Sequence, residues 1–257
     1  MSLTRRALIV SAGAAAAVLP AAKAAAPSEA LPPLPPPLPA TTFRERQSRL
    51  RAAAKAAGLD ALFVTPSTNL SYAANLSIFK SERLTALVLF TDGPAVLVTP
   101  NFEEANHKKN AVVDDVKTWK EDENPIALVG TLLQAKAALG VEGATSYETV
   151  ARLGAVYPGR VEDATPLFDA LRRVKTPEEQ IFQRAAGERT AKAIAATHKR
   201  IRRGMTEKQV SAFLAEEFAR VGVTGEGLVQ FGPNSAFPHG APEERPVPER
   251  PVPGLRS

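Results

Sequence analysis

A run of prolines decides where a fold can begin in this chain. Leu31 to Pro39 reads LPPLPPPLP. Proline has no backbone N–H and holds φ near about −65°, so neither a helix nor a central strand can run through such a tract. Its favoured state is extended polyproline II, a stiff spacer. Residues 27–41 therefore read as a linker, with folded structure expected from residue 42. A second proline-rich stretch lies near the other end. Glu244-Arg245-Pro246-Val247-Pro248 is followed at once by the same five residues, Glu249-Arg250-Pro251-Val252-Pro253. Residues 243–257 read as a disordered tail. Between the two tracts remain about 200 residues, enough for one large or two small domains.

Ahead of the linker, Thr4-Arg5-Arg6-Ala7-Leu8-Ile9 opens a short basic region, and a weakly apolar run extends from Ala7 to Leu19. Ala22-Lys23-Ala24 and Ala24-Ala25-Ala26 offer small-residue cleavage patterns. Residues 1–26 have the layout of an export signal, and the arginine pair points to the twin-arginine route. The competing reading, a membrane anchor, is disfavoured because the run falls short of the roughly 20 apolar residues a span needs. The expectation is an exported protein, periplasmic or extracellular, with no membrane attachment after cleavage. No cysteine occurs, which excludes disulfides, thiol catalysis, Cys-based zinc sites and a lipoprotein anchor. Of the formal charge of +5, three positives (Arg5, Arg6, Lys23) sit in the leader, which leaves +2 on the rest. No block of Lys and Arg is interleaved with aromatics, so nucleic acid is not implied.

Helical and strand patterns alternate from residue 42 to 170. Thr42 and Glu45 have capping-box spacing for a helix to Ala57 that Gly58 closes. Asp60–Val64, Thr85–Phe90 and Ala95–Val98 read as strands, the last two joined by Thr91-Asp92-Gly93-Pro94 as a hairpin. A short helix from Asn101 to Lys109, a strand over Val112–Trp119, helices over Pro125–Leu139 and Ser146–Tyr157, a strand at Arg160–Glu162 and a helix opened by Thr165-Pro166 complete the unit. This is an α/β pattern with a mixed sheet. It contains no Gly-rich phosphate loop and no G-x-S-x-G elbow. Asn69-Leu70-Ser71-Tyr72 reads most simply as a turn with Tyr at a core edge. His107, between charged neighbours, reads as solvated.

From residue 171 to 242 a second pattern follows. Thr176, Pro177 and Glu179 start a long helix expected to reach Arg203, with Gly204 as its stop. Thr206 and Gln209 start another, to Val221. His198 borders the apolar stripe of the first helix and reads as a packed residue. Leu228–Phe231 reads as a strand and Gly232-Pro233-Asn234 as a turn. His239 stands between Pro238 and Gly240; Pro fixes the approach and Gly lets a ligand come close, so this histidine is a candidate proton shuttle near neutral pH. A plain surface histidine is the competing reading.

The order of these motifs resembles the Xaa-Pro aminopeptidase, prolidase and creatinase family of pita-bread metallopeptidases. The resemblance rests on Phe43-Arg44-Glu45-Arg46 through Gly58-Leu59-Asp60-Ala61-Leu62, on Asn69-Leu70-Ser71-Tyr72, on Arg173-Val174-Lys175-Thr176-Pro177-Glu178-Glu179, and on Gly204-Met205-Thr206-Glu207 followed by Phe231-Gly232-Pro233-Asn234 up to His239-Gly240. It implies a ribonuclease-H-like creatinase N-terminal domain with a mixed sheet at 42–170, followed by an incomplete α+β pita-bread domain at 171–242. It implies hydrolysis of the bond before proline in a peptide, and places His239 beside the substrate, where it orients the peptide and moves a proton without ligating metal. It also implies two divalent metals (Mn, Zn or Co) held by aspartates, a histidine and glutamates further along a full-length relative.

No Asp and no His follow His239, and the last Asp is Asp169. Glu243, Glu244 and Glu249 lie among prolines, which do not fix carboxylates in metal geometry. No metal ligand is therefore assigned in this chain, and it is expected to be inactive alone. The repeated tail reads as the product of a frameshift or premature stop; a genuine short paralogue is the competing reading. Residues 171–257 are expected to leave Phe213, Leu214 and Phe218 partly exposed, and so to be poorly soluble or to associate. Two other functions stay open: a non-catalytic dimerisation module, as a homodimer or paired with a full-length relative, and a fragment of a creatinase-like amidinohydrolase.

Overall fold

The computed structural model of the chain describes residues 31–248. The export signal expected at 1–26 and the second Glu-Arg-Pro-Val-Pro copy lie outside the described residues. The described residues divide into a larger unit, 34–191, and a smaller one that starts at Lys192.

The larger unit is built on a mixed sheet of six strands: β1 (Ala61–Val64), β2 (Ala86–Phe90), β3 (Ala95–Pro100), β4 (Asp115–Trp119), β5 (Ala138–Val141) and β6 (Arg160–Asp163), in the order β4-β3-β2-β1-β5-β6. The hairpin of β2 and β3 is antiparallel, as the Asp-Gly turn predicts, and β1 pairs antiparallel with β2. The pairs β3–β4, β1–β5 and β5–β6 are parallel. Strands β1, β2, β3 and β5 are buried along their whole length because helices cover both faces. Side chains alternate across β1: Leu62 and Val64 join one core, Ala61 and Phe63 the other. The first core is closed by α1 (Ala40–Ala56), α2 (Thr68–Ala74) and α6 (Thr165–Arg173), through Leu50, Leu70 and Phe168. A short helix, α3 (Glu104–Lys108), precedes β4. The second core is closed by α4 (Pro125–Leu133) and α5 (Tyr147–Val156), through Ile126, Val129 and Leu153.

Three local expectations are corrected. The first helix begins at Ala40, inside the segment read as linker, with Pro39 at its cap position and no side-chain cap. Pro39 already holds the extended entry at φ −70° and ψ 159°, so Thr42 and Glu45 sit within the helix. The Asn69–Tyr72 stretch is helical, within α2, which Ser67 caps by accepting from the Leu70 N–H at 3.3 Å. The helix expected over Pro125–Leu139 ends at Leu133, and Ala138-Leu139-Gly140-Val141 is a central strand. A four-residue apolar run after a helical pattern carries no periodicity of its own. Gly140 shows why a strand fits here. A Cβ at this position would come within 2.7 Å of Leu59 Cδ1 and 2.9 Å of both Leu62 Cδ2 and Ala164 Cβ.

A buried cation fastens the start of the next helix, α7 (Pro177–Arg200), to this unit. Arg46 on α1 is 8% exposed. Its guanidinium lies 4.3 Å from the Tyr72 ring centroid and 5.1 Å from that of Phe43. It donates to the Tyr72 carbonyl at 3.3 Å and to the Glu179 carboxylate at 2.7 Å. Glu179 also accepts from the Thr176 N–H at 3.0 Å, and the Thr176 hydroxyl oxygen accepts from the Glu179 N–H at 3.3 Å, the capping box expected there.

In the smaller unit α8 (Glu207–Arg220) starts with the expected Thr206–Gln209 capping box. Leu214 and Phe218 are buried against Ala193 with Val221 and Val223, and the half-buried Phe213 lies under the Arg200 guanidinium at 4.0 Å. The exposure expected for Leu214 and Phe218 is thereby corrected: the end of α7 covers them. Leu228–Phe231 is extended but pairs with no strand among the described residues. Residues 243–248, expected to be unstructured, are ordered by backbone bonds to Gly204–Glu207.

Gly140→Ala is expected to destabilise the larger unit by about 1–3 kcal/mol, because the added methyl forces Leu59 and Leu62 off their positions. A urea midpoint equal to that of the parent chain would show that the strand packing has room to spare.

Candidate functional site

The candidate histidine is presented by a small polar frame at the N-terminus of α8. Thr206 takes the cap position, which turns Glu207, in the first helical position, inward. The buried Glu207 carboxylate accepts from the Phe231 N–H at 2.7 Å, from Asn234 Nδ2 at 3.0 and 3.1 Å, and from the Arg245 N–H at 3.2 Å. Asn234 is 4% exposed. Its second amide hydrogen goes to the Glu243 carbonyl at 2.8 Å, its side-chain oxygen accepts from Arg245 Nε at 3.0 Å, and its own carbonyl accepts from Gln230 Nε2 at 2.7 Å. Both amide hydrogens and the side-chain oxygen of this asparagine are thus engaged, the condition for burying a polar side chain at little cost. Burial alone would raise the Glu207 pKa, but the Phe231 N–H, the Asn234 amide and the Arg245 N–H outweigh it and hold the group below the usual glutamate range.

From this frame a 3₁₀ turn over Gly232–Ala236 leads into Phe237-Pro238-His239-Gly240. His239 sits in the turn, exposed, and its imidazole has no hydrogen-bond partner among the described residues. Gly240 closes the turn at φ +101° and its N–H donates to the Phe237 carbonyl at 3.3 Å. That φ lies where a side chain strains the backbone, which is why glycine follows the histidine.

The other residues singled out by sequence have different places. His107 is 6% exposed, contrary to the solvated reading. Its Nδ1 lies 2.8 Å from Thr99 Oγ1 on β3, and its Nε2 lies 3.4 Å from Glu103. The charged neighbours Lys108 and Lys109 hid this, because one face of a single helical turn is enough to bury a ring. His198 is exposed on α7, at the rim of a cavity of about 320 Å³ lined by Ile194, Ile201, Leu214 and Leu228. Asn69 is buried, donates to Glu142 at 2.7 Å and accepts from Arg172 at 2.6 Å, so the Asn-x-x-Tyr motif ties α2 to the end of β5 and to α6. The Tyr72 hydroxyl is buried with no partner among the described residues, and burial raises its pKa. Sequence reasoning missed Glu207 and Asn234. An acid after a helix cap and an asparagine in a Gly-Pro-Asn turn each have an ordinary local role, and only their closeness in space gives them a second one.

A pair of divalent ions requires a cluster of carboxylates and imidazoles. Among the described residues no group of three or more His, Asp or Glu could hold a metal ion, so these residues do not fit a two-metal centre.

The chain thus carries an α/β domain with a mixed sheet, then the helices α7 and α8 with the polar frame at the start of α8. Residues 46–174 match the creatinase/prolidase N-terminal domain family and residues 182–252 match metallopeptidase family M24. The chain belongs to the creatinase/prolidase family of M24 peptidases. It is similar to an uncharacterized peptidase of Schizosaccharomyces pombe, 30% identical over 221 residues that cover 79% of this chain and 48% of the relative. An uncharacterized peptidase of Staphylococcus aureus is 28% identical over 193 residues, 72% of this chain and 54% of the relative. The chain spans about half the length of the curated relatives it matches. Among solved structures, a dipeptidase PepE from Mycobacterium ulcerans superposes with a TM-score of 0.65 at 28% identity, over 82% of this chain and 58% of that one. An Xaa-Pro dipeptidase from Bacillus anthracis shares the fold, with a TM-score of 0.66 at 23% identity over 80% of this chain and 58% of that one.

Glu207→Ala is expected to cost about 2 kcal/mol in urea unfolding, since it leaves buried donors of Phe231, Asn234 and Arg245 unpaired. The pH dependence has a definite sign. A carboxyl whose folded pKa lies below its unfolded value stabilises the fold above the unfolded pKa, about 4.3 for glutamate, and loses that contribution as pH falls toward the folded pKa. The protection of the Phe231 N–H, taken relative to free peptide at the same pH, should therefore fall below about pH 4 in the parent chain; protection unchanged by acid would contradict the role given to Glu207.

Proposed function

We propose that this chain carries the N-terminal domain and the opening catalytic-domain segment of an Xaa-Pro peptidase, a hydrolase of the bond preceding proline in a dipeptide or short peptide. The observation that carries the reading is the Glu207–Asn234 frame within the M24-matching segment: it holds the Phe231–Gly240 loop in place while leaving the imidazole of His239 unengaged. In this reading His239 orients the peptide and moves a proton, a task suited to an exposed imidazole with no hydrogen-bond partner among the described residues. The dipeptidase neighbours support the substrate class.

The hydrolytic chemistry of this family needs metal-activated water. With no Asp or His after His239 and no donor cluster among the described residues, the 257 residues by themselves are proposed to be inactive. Purified chain titrated with Mn²⁺ or Zn²⁺ in a calorimeter should show no saturable binding of two ions, and an Xaa-Pro dipeptide incubated with it should remain intact. Two tightly bound ions together with turnover would refute the proposal.

Export by the twin-arginine route is proposed as well, on the support of Arg5-Arg6 and the alanine-rich cleavage patterns. Replacing both arginines by lysine should retain the chain inside the cell, as read by fractionation; unchanged export would exclude this route.

A further inference from the structure

The sequence holds Glu-Arg-Pro-Val-Pro twice in succession, and the first copy is bound in a way that reads its sequence. The Glu244 carboxylate accepts from the Lys208 N–H at 2.8 Å, at the N-terminus of α8 where the helix dipole favours an anion. The Thr206 hydroxyl and that same N–H hold its pKa below the usual range. Arg245 donates its backbone N–H to Glu207 at 3.2 Å and its Nε to Asn234 at 3.0 Å, and its carbonyl accepts from the Glu207 N–H at 3.2 Å. Pro246 stands opposite Thr206 in an antiparallel bridge, where its missing N–H is not needed. Val247 makes the last pair, donating to the Met205 carbonyl at 2.8 Å and accepting from the Gly204 N–H at 3.1 Å.

Every one of these groups recurs five residues later. Glu249 has the carboxylate, Arg250 the N–H, carbonyl and guanidinium, Pro251 the residue that tolerates the bridge, and Val252 the final pair. The carbonyl before each copy, Glu243 or Pro248, can take the second hydrogen of Asn234. We propose that Gly204–Lys208 with Asn234 forms a recognition slot for Glu-Arg-Pro-Val-Pro, and that Glu249–Pro253 exchanges with Glu244–Pro248 in it.

The balance between the two registers follows from loop length. The first copy closes a loop of 11 residues from Asn234 to Arg245. Adding five residues disfavours the second register by about two-fold on loop-closure entropy, so it is seated about a third of the time. The side-chain period of a strand does not oppose this shift, because the repeat restores every residue type to its own place; ordinary strands resist slippage for lack of such identity.

The test reads the backbone N–H of Val252 by hydrogen exchange in the full chain. With one fixed register, this N–H exchanges like free peptide. With exchange, it is protected to a fraction near one third in the parent chain. Val247→Pro removes the N–H that the first register requires, and should raise Val252 protection about three-fold while Gly204 stays protected. Arg245→Ala, which leaves the backbone free to pair, should shift the balance in the same direction. Val247→Pro combined with Val252→Pro should unprotect Gly204. Val252 amides that exchange freely in the parent chain and in both single variants would overturn the proposal. Protection of Val252 that disappears on dilution would overturn it too, by placing the second copy in the slot of another molecule.

Discussion

A guanidinium with almost no access to water organises the larger unit. A buried guanidinium is tolerable only where a carboxylate, a carbonyl and aromatic faces replace its hydration. Each of these comes from a different place in the chain: Phe43 from the same helix, Tyr72 from α2, Glu179 from the first turn of α7. Three of the family-like motifs thus meet at one side chain. The beginning of the creatinase/prolidase match, at Arg46, and the residues just before the M24 match, at Glu179, are in direct contact. A neutral residue in either position would leave the other charge buried without a partner, the costly case for an ion pair.

Much of this was legible in the chain. The β2–β3 hairpin announced itself by Asp92-Gly93 between apolar runs, and the starts of α7 and α8 by Thr-Pro and Thr-x-x-Gln spacing, because turns and caps are local chemistry. What failed to show was decided by distant contacts. β5 was indistinguishable from a helix end until Leu59, Leu62 and Ala164 closed on Gly140. His107 reads as solvated by its neighbours, yet β3 buries it. The Asn69–Tyr72 stretch is a turn by composition and a helix by virtue of the Glu142 and Arg172 partners on either side.

The same division holds at the candidate site. His239 was visible because proline and glycine flank it, and the structure leaves it open to solvent. The frame behind it, Glu207 with Asn234 and Arg245, was not visible, since its members lie up to 38 residues apart and each has a plausible local role. One of those members belongs to a proline-rich stretch whose composition suggests disorder. Composition governs whether a segment can build its own core; it does not prevent a few residues from adding hydrogen bonds to a frame that already exists.

The Arg46–Glu179 pair couples the α/β domain to the first turn of α7, just ahead of the M24 match. A double-mutant cycle of Arg46→Met and Glu179→Met, followed by urea unfolding, measures that coupling directly and cancels the loss of the Thr176 cap, which both arms share. The expected coupling energy is about 2 kcal/mol or more. Additive losses, with a coupling below about 0.5 kcal/mol, would contradict it.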